Sequence, residues 1–122
     1  MLCKVLAMEE TSTPRAQWLR GVLDMCLLAL MAEEPVYGYE MTVRLGKAGL
    51  DVADGSIYPA LARLRKRRLV EVERRSGGGG PARTYYRPSE AGMQMLRSWS
   101  RDWSEFATSI GSLITQTARE ES

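Results

Sequence analysis

Residues 54–69, DGSIYPALARLRKRRL, constrain this chain more than any other stretch. At about 100° per residue, Leu61, Leu64 and Arg68 fall within roughly 40° of Ile57, whereas Pro59, Ala62, Arg63 and Lys66 point the opposite way. The spacing predicts a short helix with an apolar back and a small, basic front. Asp54 or Ser56 is placed to cap it, and Pro59 fits only in or near the first turn, where a missing N–H costs little. Gly55, Ser56 and Pro59 at the leading end leave nothing bulky to prevent close approach to another surface, and the helix dipole there favours an anionic one. An ordinary amphipathic helix with a solvated charged face satisfies the same pattern. The rest of the chain has to decide between the two.

A chain of 122 residues supports one modest core with an appended element, not two domains of usual size. Its charge is uneven. Between Ser56 and Arg87 lie nine basic residues against Glu71 and Glu73, a local +7 within a formal net charge of only +2. Basic charge is thus concentrated where a polyanion could meet it. Cys3 and Cys26 have neither metal-ligand spacing nor a reason to pair, and read as reduced thiols of a cytoplasmic protein. The start, MLCKVLAM, is interrupted by Lys4 and followed by no small-residue cleavage site, so no secretory signal is expected, and Met8 serves as well as Met1 for a translation start. The most apolar run, Met25 to Ala32, is bounded by Asp24 and Glu33 and falls far below the roughly 20 residues of a membrane span. No membrane association is expected.

In chain order, residues 1–14 form a polar lead-in expected to be mobile, and residues 15–88 form the folded domain. From Arg15 to Ala32, Trp18, Leu19, Val22, Leu23, Cys26, Leu27 and Leu30 recur at helical spacing, with Met25, Leu28 and Met31 widening the stripe. So wide a face predicts a central helix buried on more than one side, shared with a partner chain or not. Glu34-Pro35 stops it. A second helix opens at Tyr37-Gly38-Tyr39-Glu40-Met41, turns Met41 and Leu45 inward, and frays at Gly46 and Gly49. Leu50 to Ala53 link it to the helix described above. Val70 to Arg74 then alternate with period two, as a half-buried strand would, and Ala82 to Arg87 give a second strand. Ser76 to Pro81, with four consecutive glycines, join the two as a long hairpin tip.

Three helices followed by a basic hairpin form the pattern of a winged helix-turn-helix, in which the third helix enters the DNA major groove and the wing lies along the backbone or minor groove. A merely solvated helix has no need of a basic hairpin after it. The expected fold is therefore mostly α, an α+β winged helix-turn-helix with a two-stranded wing and a C-terminal dimerisation helix. That last helix, residues 89–117 with Ser89 as N-cap, carries Leu96, Trp99, Trp103, Phe106, Ile110 and Leu113 at alternating intervals of three and four. The seam is most economically buried against its copy in a second subunit. Residues 118–122 are a polar tail.

The segments Tyr37-Gly38-Tyr39-Glu40, Asp54 to Leu64 and Gly80-Pro81-Ala82-Arg83-Thr84-Tyr85-Tyr86 resemble, in the same order, the PadR family of bacterial transcriptional regulators over about residues 17–105. The resemblance implies a homodimeric regulator, usually a repressor, of the subgroup with a single C-terminal helix. It places Ser56, Tyr58 and Pro59 at the start of the recognition helix and Gly80 and Arg83 in the wing. The residues themselves add Arg63 as a candidate for bidentate contact to guanine, Lys66 beside it, and Arg74 and Arg75 as phosphate holders. Tyr58 has two readings, packing that supports the helix or a hydroxyl contact to phosphate. Where the family often has Glu after the Arg-Leu of this helix, this chain has Arg65-Lys66-Arg67-Arg68. That run, Arg67 included, should raise non-specific DNA affinity and its salt sensitivity.

Several functions are excluded or set aside. The glycine run is followed by Pro81-Ala82-Arg83 and is no phosphate-cradling P-loop. The sequence contains no histidine, and its two cysteines are not clustered, so neither a zinc site nor a histidine acid/base is expected. No enzyme, metal or cofactor is expected. Trp99 and Trp103, with Trp18 as an opposing wall, either fill a dimer core or, as the resemblance allows, hold a flat aromatic effector. The expected partners are double-stranded DNA, met at an inverted-repeat operator, and a second copy of the chain. Two other readings stand beside this one: a winged-helix protein–protein adaptor without DNA binding, and an aromatic-ligand sensor using the Trp99/Trp103 interface.

Overall fold

The computed structural model describes residues 14–76 and 80–121. Helix α1 (Pro14–Glu33) is followed by a short strand β1 (Val36–Tyr37), helix α2 (Gly38–Lys47), a 3-10 turn (Asp54–Ser56) and helix α3 (Ile57–Lys66). Strands β2 (Val70–Arg75) and β3 (Arg83–Pro88) form the hairpin, and helix α4 (Glu90–Glu121) ends the chain. Cys3, Met8, the rest of the lead-in to residue 13 and the glycines 77–79 lie outside the described residues.

One core joins the helices to the base of the hairpin. Leu23, Leu27, Leu28 and Met31 of α1 meet Val36, Met41 and Leu45, then Ile57, Ala60, Leu61 and Leu64 of α3, and finally Leu69 and Val70. No charged or polar residue is buried among the described residues. Burial of apolar surface, at roughly 25 cal/mol per Å², therefore holds α3 in place. Trp18 departs from the expected stripe: its side chain is 68% exposed, because it lies near the outer end of α1, beyond the core cluster that begins at Leu23.

Helices α2 and α3 end in the same way. In α2 the Leu50 N–H donates to the Leu45 carbonyl at 2.8 Å and the Gly49 N–H to Gly46 at 3.0 Å, with Gly49 at φ +86°. In α3 the Leu69 N–H donates to Leu64 at 3.0 Å and the Arg68 N–H to Arg65 at 2.9 Å, with Arg68 at φ +60°. Both are Schellman motifs, and the left-handed residue is a glycine in one and an arginine in the other. The chain thus leaves α3 at Lys66, and Arg68 does not continue the apolar back of the helix as the spacing predicts. Leu69 does, through its buried contact beside Leu64.

The sheet has three strands, in the order β1-β3-β2, all antiparallel. The expected hairpin gains β1, whose Val36 and Tyr37 pair with Tyr86 and Tyr85. Alternation places Val70, Val72, Arg74, Thr84 and Tyr86 on one face and Glu71, Glu73, Arg75, Arg83, Tyr85 and Arg87 on the other. Only Val70 of β2 is buried, so β2 is not the half-buried strand that its alternation suggests. It projects from the core as one arm of the hairpin.

At the foot of the hairpin, α4 is clamped to the end of α3. The Ser89 N–H donates to the Leu69 carbonyl at 2.9 Å and the Ser89 hydroxyl to the Arg68 carbonyl at 2.8 Å. The same hydroxyl accepts from the Gly92 N–H at 3.0 Å, which caps α4 as the sequence predicts. Gly92 is required by proximity: a Cβ there would lie 2.0 Å from the Leu69 carbonyl oxygen. Beyond this clamp α4 extends past residue 117 to Glu121 as helix.

Candidate nucleic-acid interface

The front of α3 is built as its spacing predicts, with two substitutions in its cast. Tyr58, Pro59, Ala62, Arg65 and Lys66 are exposed, while Ile57, Ala60, Leu61 and Leu64 are buried. Pro59 is the third residue of the helix, inside the first turn. Ser56 is the N-cap by position but makes no side-chain capping bond. The Asp54 side chain, the other candidate cap, lies outside the described residues.

Arg63 occupies the flank toward α1 instead of the front. Its Nη2 donates to Asp24 Oδ1 at 2.9 Å and its Nε lies 3.4 Å from Oδ2, which spends the forked face of the guanidinium on a carboxylate. The hydrogen bond that Arg63 donates to the Asp24 carboxylate also holds the Arg63 pKa above its ordinary value. Arg67 is likewise engaged, 5.6 Å from the centroid of Trp99, so it joins the end of α3 to α4. The cations left exposed on α3 are Lys66 on the front and Arg65 on the flank, whose side chains pair with no other described residue. Arg65, expected from the sequence only as part of a basic run, stands out here as an individual candidate contact. At about 80° from Ile57 it shares the flank of Tyr58 and Ala62, a position readable from the same helical spacing.

Tyr58 links two of the sequence motifs. A Cβ added at Gly38 would lie 2.8 Å from Tyr58 Cε1 and from its hydroxyl oxygen. The ring therefore rests on the first residue of α2, and any side chain at Gly38 would force it to shift. Its side chain is still 59% exposed, so packing and an outward face coexist in one residue.

In the wing, Arg74 and Arg75 point to opposite faces. Arg74 Nη1 lies 3.3 Å from Thr84 Oγ1, whereas Arg75 reaches Glu73 at 3.3 Å and its Cζ lies over the Tyr85 ring, 4.7 Å from the centroid. Arg83 lies 4.5 Å from the Tyr37 centroid, on the same face as Arg75. Arg74, Arg75, Ser76, Gly80, Pro81, Arg83 and Tyr85 line a concavity at the tip of the two strands.

The seam of α4 divides. Leu96 and Trp99 pack against the chain's own core, whereas Trp103, Phe106, Ile110 and Leu113 are exposed, at 43%, 59%, 40% and 67%. Ile114, at 65%, extends that strip. Within the single chain Trp18 is exposed, at 68%, and the other two tryptophans have different surroundings. Trp99 is covered by Arg67 and the core, while Trp103 is tilted against Phe106 with centroids 6.3 Å apart. Cys26 is half-buried beside the core, and this burial pushes its thiol pKa up. No metal-ligating cluster occurs among the described residues, and no described helix is long and apolar enough to cross a membrane.

Three packed helices, a helix front with free cations, and an arginine-bearing antiparallel hairpin define a winged helix-turn-helix protein. Residues 27–98 match the transcriptional regulator PadR-like family, and the chain belongs to it. It is 32% identical over 91 residues to the transcriptional regulator Rv3488 of Mycobacterium tuberculosis, covering 75% of this chain and 84% of that one. A PadR-like transcriptional regulator of Bacillus cereus superposes with a TM-score of 0.73 at 37% identity, over 80% of this chain and 96% of the other. Bacillus subtilis PadR, solved in complex with operator DNA, shares the fold at a TM-score of 0.58 and 22% identity, over 64% of this chain and 46% of that one.

Proposed function

We propose that this PadR-like regulator is a cytoplasmic repressor that binds an inverted-repeat operator as a homodimer. The observation that carries the reading is the division of labour among its arginines and lysines. Lys66 stands unpaired on the narrow front of α3, beside Pro59 and Ala62, with Arg65 unpaired on its flank, while Arg74, Arg75 and Arg83 arm the wing. Small residues between cations let a helix enter a major groove and bring a guanidinium to a base edge. The wing arginines, at the far end of a projecting hairpin, suit backbone phosphates. Ser56, its hydroxyl not used in capping, and Tyr58, its ring braced by Gly38, are placed at the leading end of α3 for phosphate contact. The fold shared with the operator-bound Bacillus subtilis protein supports this docking.

Dimerisation follows from the strip on α4. Trp103, Phe106, Ile110 and Leu113 continue a heptad spacing past the point where the chain's own core ends, so a second α4 completes their burial. Two-fold symmetry then presents two α3 helices to two half-sites. Arg63 and Arg67 act within the domain in this reading, tying α3 to α1 and to α4.

The test is binding of the purified protein to its own upstream DNA and to an unrelated duplex of equal length, at low and at moderate salt. Preferential survival of the upstream complex as salt rises supports base readout. Equal loss of both leaves only backbone attraction and favours the adaptor reading. An effector-responsive regulator is the second reading, favoured by the exposed indole of Trp18 and the partly exposed Trp103. Quenching of tryptophan fluorescence by planar aromatic compounds would support it.

A further inference from the structure

Two arginines of the wing sit where they should repel. Arg75 and Arg83 are direct partners across the hairpin, and like charges in that arrangement oppose pairing. Two tyrosines separate their engagements. Tyr85, two residues from Arg83 on β3, takes Arg75 at 4.7 Å, while Tyr37 of β1, in register with Tyr85, takes Arg83 at 4.5 Å. The two rings meet edge to face, 5.5 Å apart at 67°. The order of contacts is therefore guanidinium, ring, ring, guanidinium. Arg75 is additionally held by Glu73, but Arg83 forms no ion pair with another described residue and depends on the ring alone. A guanidinium over an aromatic ring uses its flat face and keeps its rim of N–H donors unspent.

We propose that Tyr37 is a positioning residue for DNA binding: it holds Arg83 face-on so that the rim of the guanidinium is presented, already ordered, to a backbone phosphate. The inference rests on the DNA-binding reading given above. Tyr37 belongs to the short strand before α2, so through it the fixed part of the domain sets where the wing's phosphate contact falls. Removing the ring leaves the charge of Arg83 in place but returns its side chain to many rotamers, which binding must then order.

The experiment is a double-mutant cycle on DNA affinity, using Tyr37→Leu, Arg83→Ala and the double variant, with Tyr37→Phe as the conservative control and a generic duplex at low salt as the probe. Tyr37→Leu should weaken binding about two- to five-fold, the usual range for an exposed cation–π contact, and Tyr37→Phe should bind as the wild type does. In the Arg83→Ala background, Tyr37→Leu should have no further effect. Arg83→Ala alone should lower the slope of log affinity against log salt by about 0.9, one phosphate's share. An undiminished affinity of Tyr37→Leu, or an equal loss with and without Arg83, would overturn the inference while DNA binding itself stands. Failure of the wild type to bind any duplex overturns the DNA-binding reading and the inference with it.

Discussion

Arg68 shows how much one residue's backbone can decide. A left-handed conformation costs a residue with a Cβ roughly 1–2 kcal/mol, yet Arg68 at φ +60° ends α3 and turns its carbonyl toward the Ser89 hydroxyl. Gly49 performs the same turn after α2 without that cost. Arg68→Gly should therefore raise stability by about 0.5–1 kcal/mol, the gain being trimmed by the greater freedom of glycine in the unfolded chain. Urea unfolding checks it: the midpoint should rise with the slope unchanged, and a lowered midpoint would contradict the prediction. The helical spacing of residues 54–69 hides this turn because it assumes the helix continues. Arg63 was obscured for a different reason: its partner Asp24 lies 39 residues away in sequence, and only the packing of α1 on α3 reveals the pair. Arg67 faces Trp99 for the same kind of reason.

In the proposed function α3 is the element whose orientation matters most, and two forces act on it. The buried row Ile57, Ala60, Leu61 and Leu64 fixes it to the core, and the half-exposed Asp24–Arg63 pair ties its flank to α1. Burial should dominate. Leu61→Ala should cost about 2–5 kcal/mol in chemical denaturation, as large-to-small changes in cores do. Asp24→Asn should cost less than about 1 kcal/mol, because a solvent-screened pair contributes little. It should also free Arg63 and strengthen binding to unrelated DNA at low salt, readable in the same titration. Equal losses from the two substitutions would mean that the ion pair, not the apolar back, orients α3. The helices and the hairpin were legible because periodicity, Pro35 and the glycines mark their extents. Strand β1 was not: two residues carry no period, and Val36 and Tyr37 become a strand only because β3 passes beside them.

For the whole molecule, sequence spacing identifies the apolar seam of α4 but not where it leaves the chain's own core. Leu96 and Trp99 pack on the chain's own core, and the strip from Trp103 onward stands exposed outside it. That point depends on the clamp of Ser89 and Gly92 against Leu69, a contact made by a carbonyl and a missing Cβ, neither of which has a hydrophobic signature. In the proposed function the two ends of the molecule act together: α4 would pair the copies, and the pair would set two α3 fronts on one DNA. Hydroxyl-radical footprinting of the protein on its own upstream region tests that union most directly. The account predicts two symmetric protected patches on one face of the duplex, their centres separated by about 10 base pairs or a multiple of it, and their loss together in Phe106→Glu. A single unpaired patch that persists in Phe106→Glu would contradict it.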